Sequence, residues 1–448
     1  MEEDIQLRQV SPKVAKTRER VEHRLKKAVE LAANRLDDEA AHDDSLQHAL
    51  SIVELFIKRK KRVCYGGTAM NAILPKHRQF YDPNTDLPDY DFYTPDLDGD
   101  VKELLADLKK EGYDDVYSKV GIHEGTMKVL VNYVAVADVS FINPELFAIM
   151  YRRSVNISGL HYTDPDILRM MMYLEISRPR GMVERWEKVF ERLQLINQEF
   201  PIRVSGCNKA HKQHLPEKYI NKAIRKAILD YGIQHNRILC NGSLDMIYAS
   251  GIRRGKSKFE MSAGGPLLFS SPDPVSDAKE VRAILDDELI KLYMHPERSD
   301  LVPLRIELRR GDKPVCMFMK ETACHSLNKI SMPDGRKINI ASLEFLITLY
   351  LSIEIFTNHS KDYLGERIMC QVKRFIELSE ENYRANDSQF PPFSLECQGY
   401  QVGYASLLKA KVERVKKEKE ARKKSLKKKE KAKKASKSRK ASSSKLVE

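Results

Sequence analysis

The sequence predicts an α+β protein made of two similar domains in tandem, with a helical segment before them and a basic tail behind. Three observations carry this. Short motifs recur in order about 176 residues apart, helical apolar stripes alternate with short strands, and almost all the net charge sits at one end of the chain. A span of 448 residues suits two or three domains.

Residues 1–60 read as a helical segment. Arg18 to Leu36 has good helix formers and no breaker, and Ser45 to Lys58 places Leu46, Leu50, Val53, Phe56 and Ile57 on one stripe. Arg62-Val63-Cys64-Tyr65 is a short strand ended by Gly66-Gly67, and Thr68 to Leu74 is a helix stopped by Pro75. After a polar loop, Asp89-Tyr90-Asp91-Phe92-Tyr93 alternates as a half-buried strand does. Val101 to Lys110 is a helix, and Lys128 to Val134 with Val136 to Ile142 forms a strand pair. Asp164-Pro165 starts a helix with an apolar face of Ile167, Leu168, Met171, Met172 and Leu174. Pro179-Arg180-Gly181 breaks it, and Val183 to Leu195 is the next helix.

The repeat fixes the domain boundaries. At an offset of 176, Val63-Cys64-Tyr65-Gly66-Gly67 meets Leu239-Cys240-Asn241-Gly242-Ser243. At 177, Phe92-Tyr93-Thr94-Pro95-Asp96 meets Phe269-Ser270-Ser271-Pro272-Asp273, Phe141 meets Phe318, and Tyr173-Leu174 meets Tyr350-Leu351. Ordered landmarks at one offset indicate two copies of one domain, 61–200 and 205–400. Here Asp89 and Asp91 fall on Pro266 and Leu268, and Asp138 on Val315, so the second copy has lost three carboxylates.

Charge separates body from tail. Residues 409–448 hold 19 Lys and Arg against 5 Asp and Glu, whereas the remaining 58 and 59 nearly cancel. A coat protein that is basic throughout is excluded. The tail, without aromatic residues, reads as disordered or as a frayed single helix: a solubilising segment, a cationic RNA arm or a nuclear-localisation signal. No apolar run approaches the ~20 residues of a membrane span, and Met-Glu-Glu-Asp is no secretory signal. Seven cysteines without a Cys-x-x-Cys read as free thiols in a reducing compartment.

The chemistry concentrates in the first copy. Gly66-Gly67-Thr68, between a strand and a helix, offers backbone N–H groups to a polyphosphate, although alone it is only a tight turn. Asp89 and Asp91, at i and i+2 on a strand, face one side, where two carboxylates repel unless a cation lies between them. Mg²⁺ takes one or two carboxylates together with substrate phosphates. Asp138 interrupts an apolar strand, as a partner of a Lys or Arg or as a third ligand for two metals about 4 Å apart.

This set resembles the DNA polymerase β-like nucleotidyltransferase superfamily. Within it, Tyr65-Gly66-Gly67-Thr68-Ala69-Met70-Asn71-Ala72, Pro88-Asp89-Tyr90-Asp91-Phe92-Tyr93-Thr94-Pro95 and Val136-Ala137-Asp138-Val139-Ser140 look like the poly(A) polymerase catalytic subunits of poxviruses, African swine fever virus and mimiviruses. The likeness covers 61–195 and extends weakly over 205–360. It implies a nucleotidyltransferase fold in two copies, the second degenerate. The implied activity is template-independent addition of AMP from ATP to RNA 3′ ends, with Mg²⁺ or Mn²⁺ held by Asp89, Asp91 and Asp138. Gly66, Gly67 and Thr68 would hold the triphosphate, with Lys128 and Arg169 as further nucleotide contacts and Arg185 and Lys188 as RNA contacts. The implied partners are RNA and either a second copy or a viral processivity subunit, and the implied setting is the host cytoplasm or virion, with the nucleus as the tail's alternative. The competing readings are a non-catalytic RNA scaffold and a nucleotidyltransferase with another acceptor.

Overall fold

Helix α1 (Asp44–Lys60) starts where the Asp43 carboxylate accepts from Leu46 N–H at 3.0 Å, and stops at Lys61, in the left-handed region at φ 52°. Its stripe of Leu46, Leu50, Val53, Phe56 and Ile57 is buried as the spacing predicts. It covers one face of a seven-stranded sheet, with Phe56 and Phe92 rings 6.1 Å apart. The computed structural model describes residues 20–29, 31–32, 35, 42–82, 86–88, 90–207, 220–259, 266–357, 368–403, 405–417, 419–420 and 423. Asp89, most of the expected helix at 18–36 outside 20–29, and the far tail lie outside the described residues.

The first sheet comprises β1 (Val63–Cys64), β2 (Tyr90–Thr94), β3 (Val116–Val120), β4 (Thr126–Val131), β5 (Val134–Phe141), β6 (Val155–Ile157) and β7 (Leu160–Tyr162), in the order β3-β4-β5-β2-β1-β7-β6. Helices α2 (Gly66–Ile73), α3 (Leu97–Lys110) and α4 (Pro144–Arg153) connect its strands. The β4–β5 turn is Asn132-Tyr133, both at positive φ (48° and 69°), as a two-residue hairpin requires. Val134 therefore begins β5, where the sequence placed it at the end of β4.

Two helices follow, α5 (Pro165–Ile176) and α6 (Trp186–Glu199), and then α7 (Lys222–Gln234). The second sheet holds β8 (Ile238–Leu239), β9 (Leu267–Ser271), β10 (Ile290–His295), β11 (Arg305–Arg310), β12 (Lys313–Lys320), β13 (His325–Ser331), β14 (Lys337–Ala341) and β15 (Cys397–Gln398). Its order is β10-β11-β12-β9-β8-β14-β13-β15. Over seven strands the two sheets share strand order and every orientation: β1 with β2 and β8 with β9 antiparallel, β2 with β5 and β9 with β12 parallel, β1 with β7 and β8 with β14 parallel. Helices α8 (Leu244–Arg254), α9 (Pro274–Leu285), α10 (Leu343–Phe356) and α11 (Ile368–Arg384) complete this half. α10 is buried except at Glu354 and packs on α5, its counterpart in chain order.

A buried ionic framework also occurs twice. Asp100 in α3 is fully buried and accepts from Arg62 Nε (2.5 Å), Arg62 Nη2 (3.0 Å) and Thr94 Oγ1 (2.6 Å). Asp277 in α9 accepts from Arg237 Nε (2.6 Å), Arg237 Nη2 (2.8 Å) and Ser271 Oγ (2.5 Å). Each ties the residue before the first strand to the helix after the second.

Strand registers correct the sequence alignment of the halves. Cys64 pairs with Phe92 and Leu239 with Phe269, so the first strands are offset by 175 residues and Gly67 answers to Gly242. Asp91 pairs with Asp138 and Leu268 with Met317, so the counterpart of Asp138 is Met317, not Val315, and Phe318 answers to Val139, not Phe141. Insertions in the connecting loops shift the numbering, and only backbone pairing reveals where.

One further expectation changes. Cys207–Cys370 and Cys324–Cys397 are disulfides, while Cys64, Cys240 and Cys316 are free and buried. Partners 163 and 73 residues apart leave no local signature in sequence. Residues 405–417 are helical, so of the two expectations for the basic tail the helix describes its start, in keeping with the helix propensity of Lys, Ala and Glu. No described helix is long and apolar enough to cross a membrane.

Candidate active site

The sheet alternation gives β2 two faces. Tyr90 and Phe92 enter the core beneath α1 and α3, so Asp91 lies on the opposite face. Asp91 and Asp138 are register partners in parallel strands, which brings their side chains to adjacent strands of that face. Asp138 is in turn opposite Lys128 of β4, whose Nζ lies 2.6 and 2.5 Å from its two carboxylate oxygens. One rung further along β5, Ser140 Oγ meets Thr126 Oγ1 and Tyr65 OH, each at 2.8 Å. Tyr65 stacks on Tyr93 with ring centroids 4.1 Å apart, forming an aromatic floor beside the carboxylates.

The Gly-Gly turn is shaped by this face. Gly66 has φ +75°, and a Cβ there would stand 2.4 Å from Asp91 Oδ2, so conformation and contact both demand glycine. At Gly67 a Cβ would stand 2.7 Å from Tyr81 OH and 2.9 Å from Arg192 Nη1. α2 begins here, and its N-cap residue Tyr65 provides no side-chain hydrogen bond. Thr68 lies in the first turn, at the helix end whose backbone dipole favours an anion.

Arg192 and Tyr81 are the residues that sequence reasoning missed. Asn71 Oδ1 accepts from the Phe80 and Tyr81 N–H groups at 2.7 and 2.9 Å, folding the loop after α2 back over the turn. Arg192, from α6, donates to Tyr81 OH at 2.8 Å and lies 4.5 Å from the Phe80 ring centroid. It stands 111 residues from Tyr81, so no spacing pattern could link them. In the second half Gln371 of α11 takes the same place, donating to Gly242 O at 2.8 Å. There Leu268 and Met317 replace the two aspartates and are buried, and Glu307 stands at the register position of Lys128.

The remaining expected residues separate. Arg169 is fully buried and donates to Asn197, Asp166 and the Ile196 and Phe200 carbonyls. It joins α5 to α6 and is not placed to meet nucleotide, a correction to its expected role: burial on an apolar helix face had no signature distinct from a basic exposed one. Arg185 is half-exposed and 3.4 Å from Glu175, and Lys188 is exposed on α6. Beneath the turn, burial and then the Asp91 charge push the Cys64 thiol up to about 12, which rules it out as a nucleophile.

The donors at this face fit a hard divalent cation. Asp91 and Asp138 offer only oxygens, and the Lys128 ammonium on Asp138 shows that this carboxylate seeks positive charge. The strand order, the glycine turn and the paired aspartates define a nucleotidyltransferase fold. Its likeness lies with viral poly(A) polymerases. Residues 51–182 match the family model described as "Poly(A) polymerase catalytic subunit". A mimivirus protein from Acanthamoeba polyphaga mimivirus, provisionally named a poly(A) polymerase catalytic subunit, is 31% identical over 158 residues, covering 34% of this chain and 26% of the relative. A protein so named from African swine fever virus (isolate Tick/Malawi/Lil 20-1/1983) is 30% identical over 165 residues, covering 36% and 34%. The matches thus span a quarter to a third of those relatives. The crystal structure of the Megavirus polyadenylate synthase shares the fold, with a TM-score of 0.68 at 18% identity over 92% of this chain and 84% of that one.

Proposed function

We propose that this chain is a template-independent RNA adenylyltransferase that extends 3′ ends with AMP from ATP, in the setting of a viral factory in host cytoplasm. The observation that carries this reading is the register pairing of Asp91 with Asp138 on the face against which Gly66 is packed. The terminal 3′-hydroxyl oxygen attacks the α-phosphorus of ATP, the bond from that phosphorus to the β-bridging oxygen breaks, and pyrophosphate leaves. Asp91 and Asp138, with Asp89 from the same motif, would hold Mg²⁺ or Mn²⁺, which would activate the hydroxyl and neutralise the phosphates. The α2 N-terminus at Gly66, Gly67 and Thr68 binds the triphosphate, with Arg192 at its flank. Lys128 keeps the Asp138 charge compensated and is then free to turn to phosphate. The Tyr65–Tyr93 floor offers a stacking surface for a base.

In this reading 61–200 is the catalytic domain and 205–400 a degenerate copy that buttresses it. The buried Leu268 and Met317 favour that role, because neither offers an oxygen ligand to Mg²⁺ or Mn²⁺. Incubating the protein with an RNA oligonucleotide, Mg²⁺ and each nucleoside triphosphate in turn tests the reading. Extension with ATP is the expected result, and bound nucleotide without RNA growth under Mg²⁺ and Mn²⁺ would leave a scaffold role or a nucleotidyltransferase with another acceptor. Arg192→Ala is expected to raise KM for ATP about tenfold, the loss of one charge-assisted contact, with a smaller change in kcat. Steady-state kinetics at saturating RNA would show this, and an unchanged KM would remove Arg192 from the site.

A further inference from the structure

The basic segment is rooted beside the catalytic face. In the helix at 405–417 the partly buried positions include Leu407, Ala410, Lys411, Arg414 and Val415, spaced three and four apart, while Leu408, Lys409, Val412 and Glu413 are exposed. That spacing is one face of a helix laid on the protein. Arg414 holds it there: Nη2 donates to Ile122 O at 2.9 Å and to Gly121 O at 3.4 Å. Both carbonyls belong to the tip of the β3–β4 hairpin, and Gly121 N–H donates to Thr126 O at 2.7 Å. Thr126 and Lys128, on the next strand, belong to the catalytic face.

Three guanidiniums from two other parts of the chain act on the same tip. Arg414 sits on the carbonyls that precede His123 in the chain, and burial, and then the charges of Arg185, Arg414 and Arg178, depress the His123 imidazole, so all three guanidiniums act electrostatically at this tip. Among the described residues Arg178 Nε is buried with no hydrogen-bond partner, while burial lowers the pKa of the guanidinium against the attraction of Asp300 and Glu175. Arg185 is 53% exposed and reaches Glu175 only at 3.4 Å. Glu184 is the other nearby acid, acting on Glu175. Among the described residues, then, the Arg178 Nε donor lacks an acceptor and Arg185 is only loosely paired.

We propose that Arg178, Arg185 and Arg414 form a phosphodiester site for single-stranded RNA at the rim of the catalytic face, and that Arg414 pins the root of the lysine-rich segment there. The 16 Lys and Arg of residues 415–448, against 4 acids, follow Arg414 directly in the sequence. Guanidinium forks suit phosphate oxygens, and a short anchored arm keeps its effective concentration at the site high. The inference rests on the polymerase reading for the identity of the strand as RNA.

The test is equilibrium binding of a labelled oligoadenylate to the full-length chain, without nucleotide, over a range of salt. Arg414→Ala keeps 18 of the 19 basic residues of 409–448, yet is expected to weaken binding about fivefold, and Lys417→Ala, exposed on the same helix, less than about twofold. Arg178→Gln is expected to lower the slope of log affinity against log salt by about one. Limited trypsin digestion should cut Arg414→Ala faster at Lys409 and Lys411 while thermal unfolding of the body is unchanged. Equal losses for Arg414→Ala and Lys417→Ala would overturn the anchoring. So would anionic phospholipid vesicles whose binding depends on Arg414 while RNA binding does not. A chain that binds RNA in this Arg414-dependent way without extending it would refute the polymerase reading and leave this site standing. An extending enzyme indifferent to Arg414 would do the reverse.

Discussion

Asp91→Asn should cut the rate of RNA extension at least a thousandfold, and Asp138→Asn nearly as much. A loss of that size is about 4 kcal/mol of transition-state stabilisation, in the range expected when a metal clamp is broken. The substitution keeps the shape of the carboxylate and removes its charge, so the contact with Gly66 and the packing of β2 survive. Circular dichroism and thermal unfolding should match the parent, and nucleotide should still bind at the glycine turn. Met317, the register counterpart of Asp138, provides the control: Met317→Leu should alter stability slightly and leave the rate alone. A folded Asp91→Asn protein that extends RNA at the parent rate would end the assignment of this face as catalytic.

The second large effect is structural. Asp100→Ala and Asp277→Ala should each cost about 3 kcal/mol, because each removes a buried carboxylate and leaves a largely desolvated arginine without its partner. Burial opposes ionisation of Asp100, but Arg62 and Thr94 override it and hold the carboxyl below its ordinary range; Arg237, Ser271 and Tyr231 do the same for Asp277. A depressed folded pKa means the stabilisation is fully present above the unfolded value, about 3.9, and is lost as pH falls through the folded one. Denaturant titrations at neutral pH and below pH 4 should therefore show the parent converging on the variants in acid. Asp98→Ala, exposed in the first turn of α3, should cost less than about 1 kcal/mol. If Asp100→Ala behaved like Asp98→Ala, the duplicated framework would have no energetic meaning.

Much of the site was legible because it depends on short-range rules. A strand followed by Gly66-Gly67 and a helix, the alternation of Asp91 with Tyr90 and Phe92, and the lone Asp138 in an apolar strand are all local, and the fold placed Asp91, Asp138 and the turn together. The chain order of the repeat was legible too, since recurring aromatic and glycine landmarks survive sequence change. Its register was not: Cys64 answers to Leu239 and Asp138 to Met317 because loop insertions are invisible until strands pair.

The sequence by itself determined the α+β character, the acidic face of β2, the loss of carboxylates from the second half and the concentration of positive charge beyond residue 409. Periodicity and composition act within a few residues, and these features need nothing more. Tertiary structure alone decided what distance in sequence conceals. It turned Arg169 inward, brought Arg192 and Tyr81 to Gly67, joined four cysteines in two disulfides and set Arg414 on the β3–β4 hairpin. The physical reason is common to all four. A long cation or a thiol is chemically the same in solvent, in a core or at a phosphate, and only its neighbours, contributed by remote segments, assign it one of those roles.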